Sequence, residues 1–388
     1  MRRALLPDPL RVARYRRAPE LGPRILFFSG GSALRPLCRR LKACTHNSIH
    51  LITPFDSGGS SAVLRRTFGM LSVGDLRNRL LALADESIKG NPAIYRLFSH
   101  RFSAETAPAE LHRRLERLAE GSDELIEAVP TPLRRIIQTH LRIFVDHMPR
   151  SFDLQGASIG NLVLVGGYLN NDRDIHSVIF LFSKLVQVLG VVLPAADCNL
   201  HLEAELEDGS KVIGQHAITR PAATRAPINN LDLVRSLENP KPASVSADDE
   251  VRELVADAEL LCYPMGSFFT SVAANLLPRG VGRAIAANPG VKVYIPNMGD
   301  DPEERGLSLA DRIRILLRLV RRDTGEATPV RSILNLVLTD LRRSGLASRD
   351  LDEVRELGIQ AVDAPLVSES NRPWIDPDRL TEVLLSLV

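Results

Sequence analysis

The chain has 388 residues, of which 44% are hydrophobic and 25% charged, so it can bury one large core or two ordinary ones, and wholesale disorder is excluded. Lys and Arg number 49 against 47 Asp and Glu. This balance argues against a dedicated nucleic-acid-binding protein, which usually carries a basic face. No stretch approaches the ~20 apolar residues that span a bilayer, which excludes a membrane-spanning segment.

The first residues lack the apolar run and the cleavage site of a signal peptide, and the four cysteines have neither Cys-x-x-Cys nor zinc-site spacing. We therefore expect a cytoplasmic protein with reduced thiols. Residues 1–23 form a basic extension, which either contacts an anionic partner or is a solvated, partly ordered end. Its arginines are Arg2, Arg3, Arg11, Arg14, Arg16 and Arg17.

The first elements predict a βαβ unit, the start of a single α/β domain over 24–388. An apolar run at 24–29 ends in Gly-Gly, leucines at helical spacing follow over 33–43, and a second apolar run covers 49–53. Such a unit gives parallel strands and a right-handed crossover. We therefore predict a three-layer, Rossmann-like fold with a mostly parallel sheet.

Leucine and isoleucine recur at three- to four-residue steps over 75–150, which predicts helices and makes 82–155 an enlarged helical insert. A small-residue loop and an apolar element follow at 156–169. The remaining predicted elements are a helix at 174–189, a strand at 191–194, a β-hairpin at 200–207 and 211–214, an irregular excursion at 219–250, strands at 258–263, 291–295 and 333–338, and helices at 308–321 and 376–387.

Four predicted strand ends lead into loops of small and polar residues, at 29–32, 56–61, 264–271 and 296–298. Parallel sheets bind ligands beyond the carboxyl ends of their strands, and glycine lets backbone N–H groups approach a phosphate. Ordinary turns and helix caps are the alternative. The phosphate- or nucleotide-binding candidates are Gly30, Gly31, Ser32, Gly58, Gly59, Ser60, Ser61, Gly266, Ser267, Phe269, Thr270 and Asn297.

None of these loops has the pattern of a P-loop NTPase or of a dinucleotide-binding dehydrogenase. Asp56 is the candidate catalytic residue and metal ligand. A carboxylate beside a phosphate loop is costly unless it binds Mg²⁺, a proton or a sugar hydroxyl. Capping of the next helix by Asp56 is the open alternative.

A second polar cluster runs over 74–78. Asp75 is interpreted as the N-cap of a helix. Arg77, with its permanent charge and fork of donors, is the phosphate candidate, and Asn78 belongs to the same cluster. Asn161, after a small-residue loop, is a candidate for binding a base or ribose edge.

In order and spacing, these loops resemble the CofD superfamily over roughly residues 24–315. The motifs are Ser29-Gly-Gly-Ser32, Asp56-Ser-Gly-Gly-Ser-Ser61, Gly74-Asp-Leu-Arg-Asn78, Ala157-Ser-Ile-Gly-Asn161, Gly266-Ser-Phe-Phe-Thr-Ser271 and Pro278-x-Gly280. The YvcK-type branch is the more similar one. The chain departs from the pattern of that branch at Phe55, which replaces a second Asp, at Met265, and at Phe269, which replaces a Tyr.

The resemblance implies a Rossmann-like fold, a homodimer and one of two functions. CofD proteins are Mg²⁺-dependent 2-phospho-L-lactate transferases, which move a phospholactyl group from a guanosine diphospho donor to a flavin-like alcohol. The transferases use an acidic position matched by Asp56 near the metal and the acceptor. YvcK-type proteins bind UDP-sugars and act in the control of carbon and cell-wall metabolism. We expect a Mg²⁺-assisted transferase, with the non-catalytic regulator as the alternative.

Overall fold

The structure is a computed structural model that describes residues 6–388, so Arg2 and Arg3 of the basic extension lie outside the described residues. Its strands are β1 (Ile25–Ser29), β2 (Ile49–Ile52), β3 (Val191–Pro194), β4 (His201–Leu206), β5 (Lys211–Ile213), β6 (Ile228–Val234), β7 (Pro242–Ala243), β8 (Leu260–Tyr263), β9 (Val291–Tyr294), β10 (Leu336–Thr339) and β11 (Gln360–Asp363).

Helices separate most of these strands. They are α1 (Pro9–Arg17), α2 (Arg35–Leu41), α3 (Gly59–Phe68), α4 (Gly74–Leu83), α5 (Pro92–Ser99), α6 (Pro108–Glu120), α7 (Glu124–Glu127), α8 (Thr131–His147), α9 (Ile159–Asn170), α10 (Ile175–Leu185), α11 (Gln215–Ile218), α12 (Asp249–Asp257), α13 (Val281–Ala287), α14 (Leu309–Thr324), α15 (Ser348–Glu356) and α16 (Pro377–Ser386).

The chain divides into two compact units. Residues 6–55 and 194–388 form the sheet unit, and residues 56–193 form the helical unit. The main sheet has the strand order β11-β10-β9-β8-β1-β2-β3, and β3 ends at the boundary between the units. The strand pairs β1–β2, β1–β8, β8–β9, β9–β10 and β10–β11 of the main sheet run parallel, which confirms the predicted α/β fold.

The sheet is wound in two directions from its centre. From β1 the chain moves outward to β2, whereas from β8 it moves the opposite way through β9 and β10 to β11. Right-handed crossovers therefore place α2 on one face and α13, α14 and α15 on the other. The reversal lies between the neighbouring strands β1 and β8. In this type of sheet, such a switch point is where ligands bind.

A second sheet, entirely antiparallel, has the order β5-β4-β6-β7 and lies in the sheet unit. The predicted hairpin is confirmed, because Glu203, Ala204 and Glu205 of β4 pair with β5. The prediction of an irregular excursion over 219–250 is wrong at Ile228–Val234, which form β6. That strand pairs along the whole of β4, and its apolar residues Ile228, Leu231, Leu233 and Val234 are buried.

The helical unit is organised around α9, which is buried along nearly its whole length. The helices α4, α5, α8 and α10 pack against it. Two glycines allow α8 to approach closely, since a Cβ at Gly166 would lie 1.9 Å from the backbone oxygen of His140. The predicted insert at 82–155 supplies α5, α6, α7 and α8 of this unit, whereas the central helix α9 follows it in sequence.

The described part of the basic extension is ordered as a helix rather than loose. Asp8 caps α1, and Val12 is buried. The helix packs on α16, where Arg16 forms an ion pair of 2.9 Å with Glu382. Among residues 6–388, no helix is long and apolar enough to cross a membrane.

Candidate functional site

The loop after β1 lies beside the switch point of the sheet unit. A Cβ at Gly30 would lie 2.8 Å from Oγ of Ser271, so only glycine lets the loops after β1 and β8 approach so closely. Asn275 holds the end of β1, because its Nδ2 donates to the backbone oxygen of Ser29 over 2.9 Å. The first predicted loop is therefore fixed against the third.

Gly31 and Ser32 form the outer part of the same loop. Gly31 has a φ of +31°, and within residues 6–388 no atom beyond its two chain neighbours lies within 4 Å of a Cβ built there. Ser32 is exposed, and its backbone oxygen accepts from the N–H of Arg35 at the start of α2. The loop is thus open on its outer side, as close approach of a phosphate requires.

The loops after β8 and β9 are joined by a pair of hydrogen bonds. The N–H of Gly266 donates to Oδ1 of Asn297, and Nδ2 of Asn297 donates to the backbone oxygen of Gly266, each over 2.8 Å. Gly266 has a φ of +135°, a backbone conformation that residues other than glycine rarely adopt. Asn297 therefore fixes the loop that carries Gly266 and Ser267.

A buried carboxylate holds the next turn, a π-helical turn over Phe268–Val272. Oε2 of Glu303 accepts from the N–H groups of Phe269 and Thr270, each over 2.9 Å, and Oε1 accepts from the Thr270 hydroxyl over 2.5 Å. Burial, helped by the charge of Asp301, raises the pKa of Glu303 to about 7. The hydroxyl of Thr270 and the two N–H groups thus have an internal acceptor.

Two further carboxylates complete this acidic cluster. Asp301 accepts from the N–H of Phe268 and from Nδ2 of Asn297, and burial raises its pKa. Glu304 forms an ion pair with Arg312, and both side chains are nearly buried. Burial raises the pKa of Glu304 to about 7, against the lowering effect of Arg312.

Sequence reasoning missed this cluster, although the run Asp300-Asp301-Pro302-Glu303-Glu304 directly follows Asn297. Such a run usually lies on the surface. In sequence, only its position next to the predicted loop at 296–298 could have drawn attention to it. Its contacts with the loop after β8 are formed by the fold, across more than 30 residues. Phe269 is fully buried beside Phe268, so its ring contributes to the core beneath the loop.

In the helical unit, Asp56 begins a tight turn. Its Oδ1 accepts from the N–H of Gly58 over 3.0 Å, and its backbone oxygen accepts from Arg65 over 3.2 Å. Gly58 is the N-cap of α3, without a side-chain cap, so Asp56 does not cap that helix. A Cβ at Gly74 would lie 3.7 Å from Oδ2 of Asp56 and 2.6 Å from Oγ of Ser61. The three residues therefore meet at the start of α4.

Gly59 and Ser60 occupy the first turn of α3. Gly59 is exposed with a φ of +48°, and no other atom lies within 4 Å of a Cβ built there. Ser60 is half-buried. The prediction that Asp75 is an N-cap is wrong, because α4 begins at Gly74 and its N-cap is Val73.

Arg77, one turn further along α4, is buried and turned toward α9. Its guanidinium donates to Oγ of Ser158 and, over 2.6 Å, to Oδ1 of Asn78. The close approach of the two helices depends on Gly160, where a Cβ would lie 2.8 Å from Cδ of Arg77. The helix α4 therefore brings the Asp56 loop and the start of α9 into one group of residues.

Asn161 follows Gly160 on α9 and is 1% exposed. Neither Oδ1 nor Nδ2 of its amide has a hydrogen-bond partner among residues 6–388. Unpaired polar atoms inside a protein are costly and call for an explanation such as a ligand or an ordered water. Asn161 is thus the described residue whose environment most directly indicates a bound polar group.

The predicted site residues fall into two groups, each within one unit. The sheet unit holds Gly30, Gly31, Ser32, Gly266, Ser267, Phe269, Thr270 and Asn297. The helical unit holds Asp56, Gly58, Gly59, Ser60, Ser61, Arg77, Asn78 and Asn161. Their roles in binding stay predictions.

A parallel sheet that is wound in two directions from β1 and β8 defines the doubly wound, Rossmann-like class of α/β proteins. Within that class, the chain belongs to the family described as "2-phospho-L-lactate transferase CofD", whose sequence pattern matches residues 25–367. The predicted membership of the superfamily is therefore confirmed.

Among its relatives are two bacterial proteins named "Gluconeogenesis factor". The chain is 29% identical to that of Bacillus subtilis over 295 residues, which cover 76% of this chain and 74% of the relative. It is 25% identical to that of Listeria innocua over 378 residues, which cover 95% and 97%. These matches confirm the similarity to the YvcK-type branch.

The fold is also that of a crystal structure from Bacillus halodurans, a member of the UPF0052 family. The TM-score is 0.66 at 24% identity, and the alignment covers 94% of this chain and 99% of the other. This likeness supports the Rossmann-like architecture.

Proposed function

We propose that this protein binds a nucleotide-diphosphate compound and, in line with the name "Gluconeogenesis factor" of its relatives, acts as a ligand-sensing factor in carbon metabolism. The observation that carries the proposal is Asn161, a buried amide with no partner among the described residues. An amide offers both donors and an acceptor, which matches the hydroxyl groups of a ribose or of another sugar.

Glycine loops that suit a phosphate occur in each unit, taken by itself. Gly30 and Gly31 lie at the switch point between β1 and β8, and the loop is open above Gly31. In the helical unit, α3 begins at Gly59 after an N-cap that offers no side-chain acceptor. The N–H groups of such a first turn attract anions.

Thermal-shift and calorimetric titration of the wild-type protein with UDP, GDP and UDP-sugars tests this function. We expect saturable binding of a nucleoside diphosphate or its sugar conjugate and a matching rise in Tm. Asn161→Leu should remove the binding. Failure of the wild-type protein to bind any of these compounds would contradict the proposal.

A second function, Mg²⁺-assisted transfer, is favoured by the geometry around Asp56. Oγ of Ser61 and Oδ2 of Asp56 lie 2.6 and 3.7 Å from the position that a Cβ on Gly74 would occupy, so a hydroxyl and a carboxylate oxygen are near each other. Mg²⁺ in proteins is commonly held by one or two carboxylates together with waters and substrate phosphates. These residues therefore fit the ion, which would stabilise the charge that develops on a transferred phosphoryl group.

In this second function, an acceptor hydroxyl attacks the phosphorus distal to the nucleoside. A new oxygen–phosphorus bond forms, the bond to the bridging oxygen breaks, and the nucleoside monophosphate leaves. Asp56 orients the hydroxyl and accepts its proton. Asp56→Asn should abolish product formation, detected by mass spectrometry, while nucleotide binding is retained. Unchanged turnover in this variant would exclude Asp56 from the reaction.

A further inference from the structure

Trp374 is the only tryptophan of the chain, and its side chain is 64% exposed. Tryptophan is enriched at binding surfaces, because its large apolar ring carries a polar N–H. The residue lies on the irregular segment 364–376 between β11 and α16. Its place beside the strand-end loops of the sheet unit makes it a candidate for ligand contact.

The segment that carries Trp374 is anchored at the carboxyl end of β10. The N–H of Ala364 donates to the backbone oxygen of Thr339 over 2.9 Å, and the N–H of Val367 donates to Oδ2 of Asp340 over 3.0 Å. At its other end, Asp376 caps α16. These contacts hold the segment near the carboxyl ends of the strands, where the strand-end loops lie.

The indole ring lies against Gly299, in the loop after β9. A Cβ at Gly299 would be 3.3 Å from Cζ3 and 3.6 Å from Cη2 of Trp374, so a larger residue would push the ring away. Two residues earlier, Asn297 is hydrogen-bonded to Gly266. The ring is thus next to the loops that flank the switch point.

Neighbouring strands lie about 4.8 Å apart, so the loop after β9 is about 10 Å from the loop after β1. The ribose and phosphates of a nucleotide span such a distance. A phosphate at Gly31 would leave the base over the loop after β9, where Trp374 lies. The buried ring of Phe269 offers no exposed face for this purpose.

We propose that Trp374 stacks on the base of the nucleotide-diphosphate compound and so sets its affinity; this inference rests on the proposed function. Stacking of bases on aromatic rings is tolerant of base identity, because every base has a π-face. Trp374 would therefore supply affinity for a nucleotide without choosing between uracil and guanine.

The test compares wild-type protein with Trp374→Ala and Trp374→Phe by calorimetric titration with UDP, GDP and inorganic pyrophosphate. Trp374→Ala should weaken UDP and GDP binding about tenfold, and Trp374→Phe should keep most of the affinity, since a ring remains. Pyrophosphate has no base, so its affinity should not change. Phe180→Ala, at an aromatic side chain that is 65% exposed in the helical unit, is the matched control and should bind like wild type.

Fluorescence gives a second readout, because all tryptophan emission comes from Trp374. UDP or GDP should change this emission with the same Kd as calorimetry gives. Unchanged nucleotide affinity in Trp374→Ala would overturn the inference and leave the proposed function standing. Failure of the wild-type protein to bind any nucleotide would overturn both.

Discussion

The carboxylate of Glu303 lies directly against Thr270 and accepts both its backbone N–H and its hydroxyl, over 2.9 and 2.5 Å. A loop that was predicted to offer these donors to a phosphate thus uses them to bind an internal acid. The acid is buried, and its pKa is raised from 4.5 to about 7. The stability of this loop should therefore depend on pH near neutrality.

The first prediction concerns Glu303→Gln. Because the pKa of Glu303 is higher in the folded protein, the stabilisation is complete below about pH 4.5 and is lost as the pH rises through about 7. The glutamine oxygen can replace Oε2, and its NH₂ can donate to the Thr270 hydroxyl. The variant should match wild type near pH 4.5 and exceed it near pH 8 by on the order of 3 kcal/mol.

Unfolding of both proteins followed by calorimetry over this pH range is the measurement. The difference between the two proteins is informative, because the other carboxyl groups titrate in both. A constant difference over the whole range would show that Glu303 does not change its protonation there.

The second prediction concerns the ion pair of Glu304 and Arg312. Arg312→Met leaves the buried carboxylate of Glu304, whose ionised form burial already disfavours, without its counter-charge, and breaking a buried pair in this way costs about 3–5 kcal/mol at a pH where Glu304 is ionised. Urea unfolding should show a loss of about this size. Arg314→Ala, which breaks the exposed pair with Asp311, should cost less than about 1 kcal/mol. Equal losses in the two variants would contradict the burial argument.

The third prediction is that Asn161→Leu raises the stability of the protein and removes ligand binding. Asn161→Leu replaces two unpaired polar atoms by apolar ones of similar size, so the ligand-free protein should gain about 1 kcal/mol. Stabilisation by UDP or GDP should disappear. Asn171→Leu, at the end of the same helix, removes a hydrogen bond to Gly167 and should lower stability while binding is kept. If Asn161→Leu is destabilised and still binds ligand, the amide is structural.

The fourth prediction separates two neighbouring glycines of the first loop. Gly30→Ala collides with Ser271 and should lower the free energy of unfolding by about 1–3 kcal/mol. In the described part of the chain, a Cβ at Gly31 has no atom within 4 Å beyond its chain neighbours. Gly31→Ala should therefore lower the free energy of unfolding by only ~1 kcal/mol, the cost of a strained backbone. Its effect should instead be on nucleotide affinity, measured by titration. Equal affinity in Gly31→Ala and wild type would show that the ligand does not approach this loop.

Most strands of the main sheet could be predicted because they are short apolar runs, and β1, β2, β3, β8 and β9 end within two residues of a glycine or proline. The edge strand β11 is not among the predicted elements, since both of its ends, Gln360 and Asp363, are exposed polar residues. Likewise, β6 could not be predicted, since Asn229, Asn230 and Asp232 on its exposed side hide the alternation, and its partner β4 lies more than twenty residues earlier. Pairing energy between strands, rather than local propensity, decides such an element.

The glycine loops of the site were visible in sequence, but their internal partners were not. Glu303 and Thr270 are 33 residues apart, and nothing local shows that the acid is buried. The contact of Trp374 with Gly299 likewise depends on how the segment after β11 returns to the sheet. The sequence therefore shows which residue types each loop contains, whereas the burial that raises the pKa of Glu303 depends on the fold.

Calorimetric titration of the wild-type protein with a nucleoside diphosphate, repeated with Asn161→Leu, tests the central claim most directly. The account predicts a saturable heat of binding in the wild-type protein and none in the variant, although the variant is folded and at least as stable. Binding in neither protein, or equal binding in both, would contradict it.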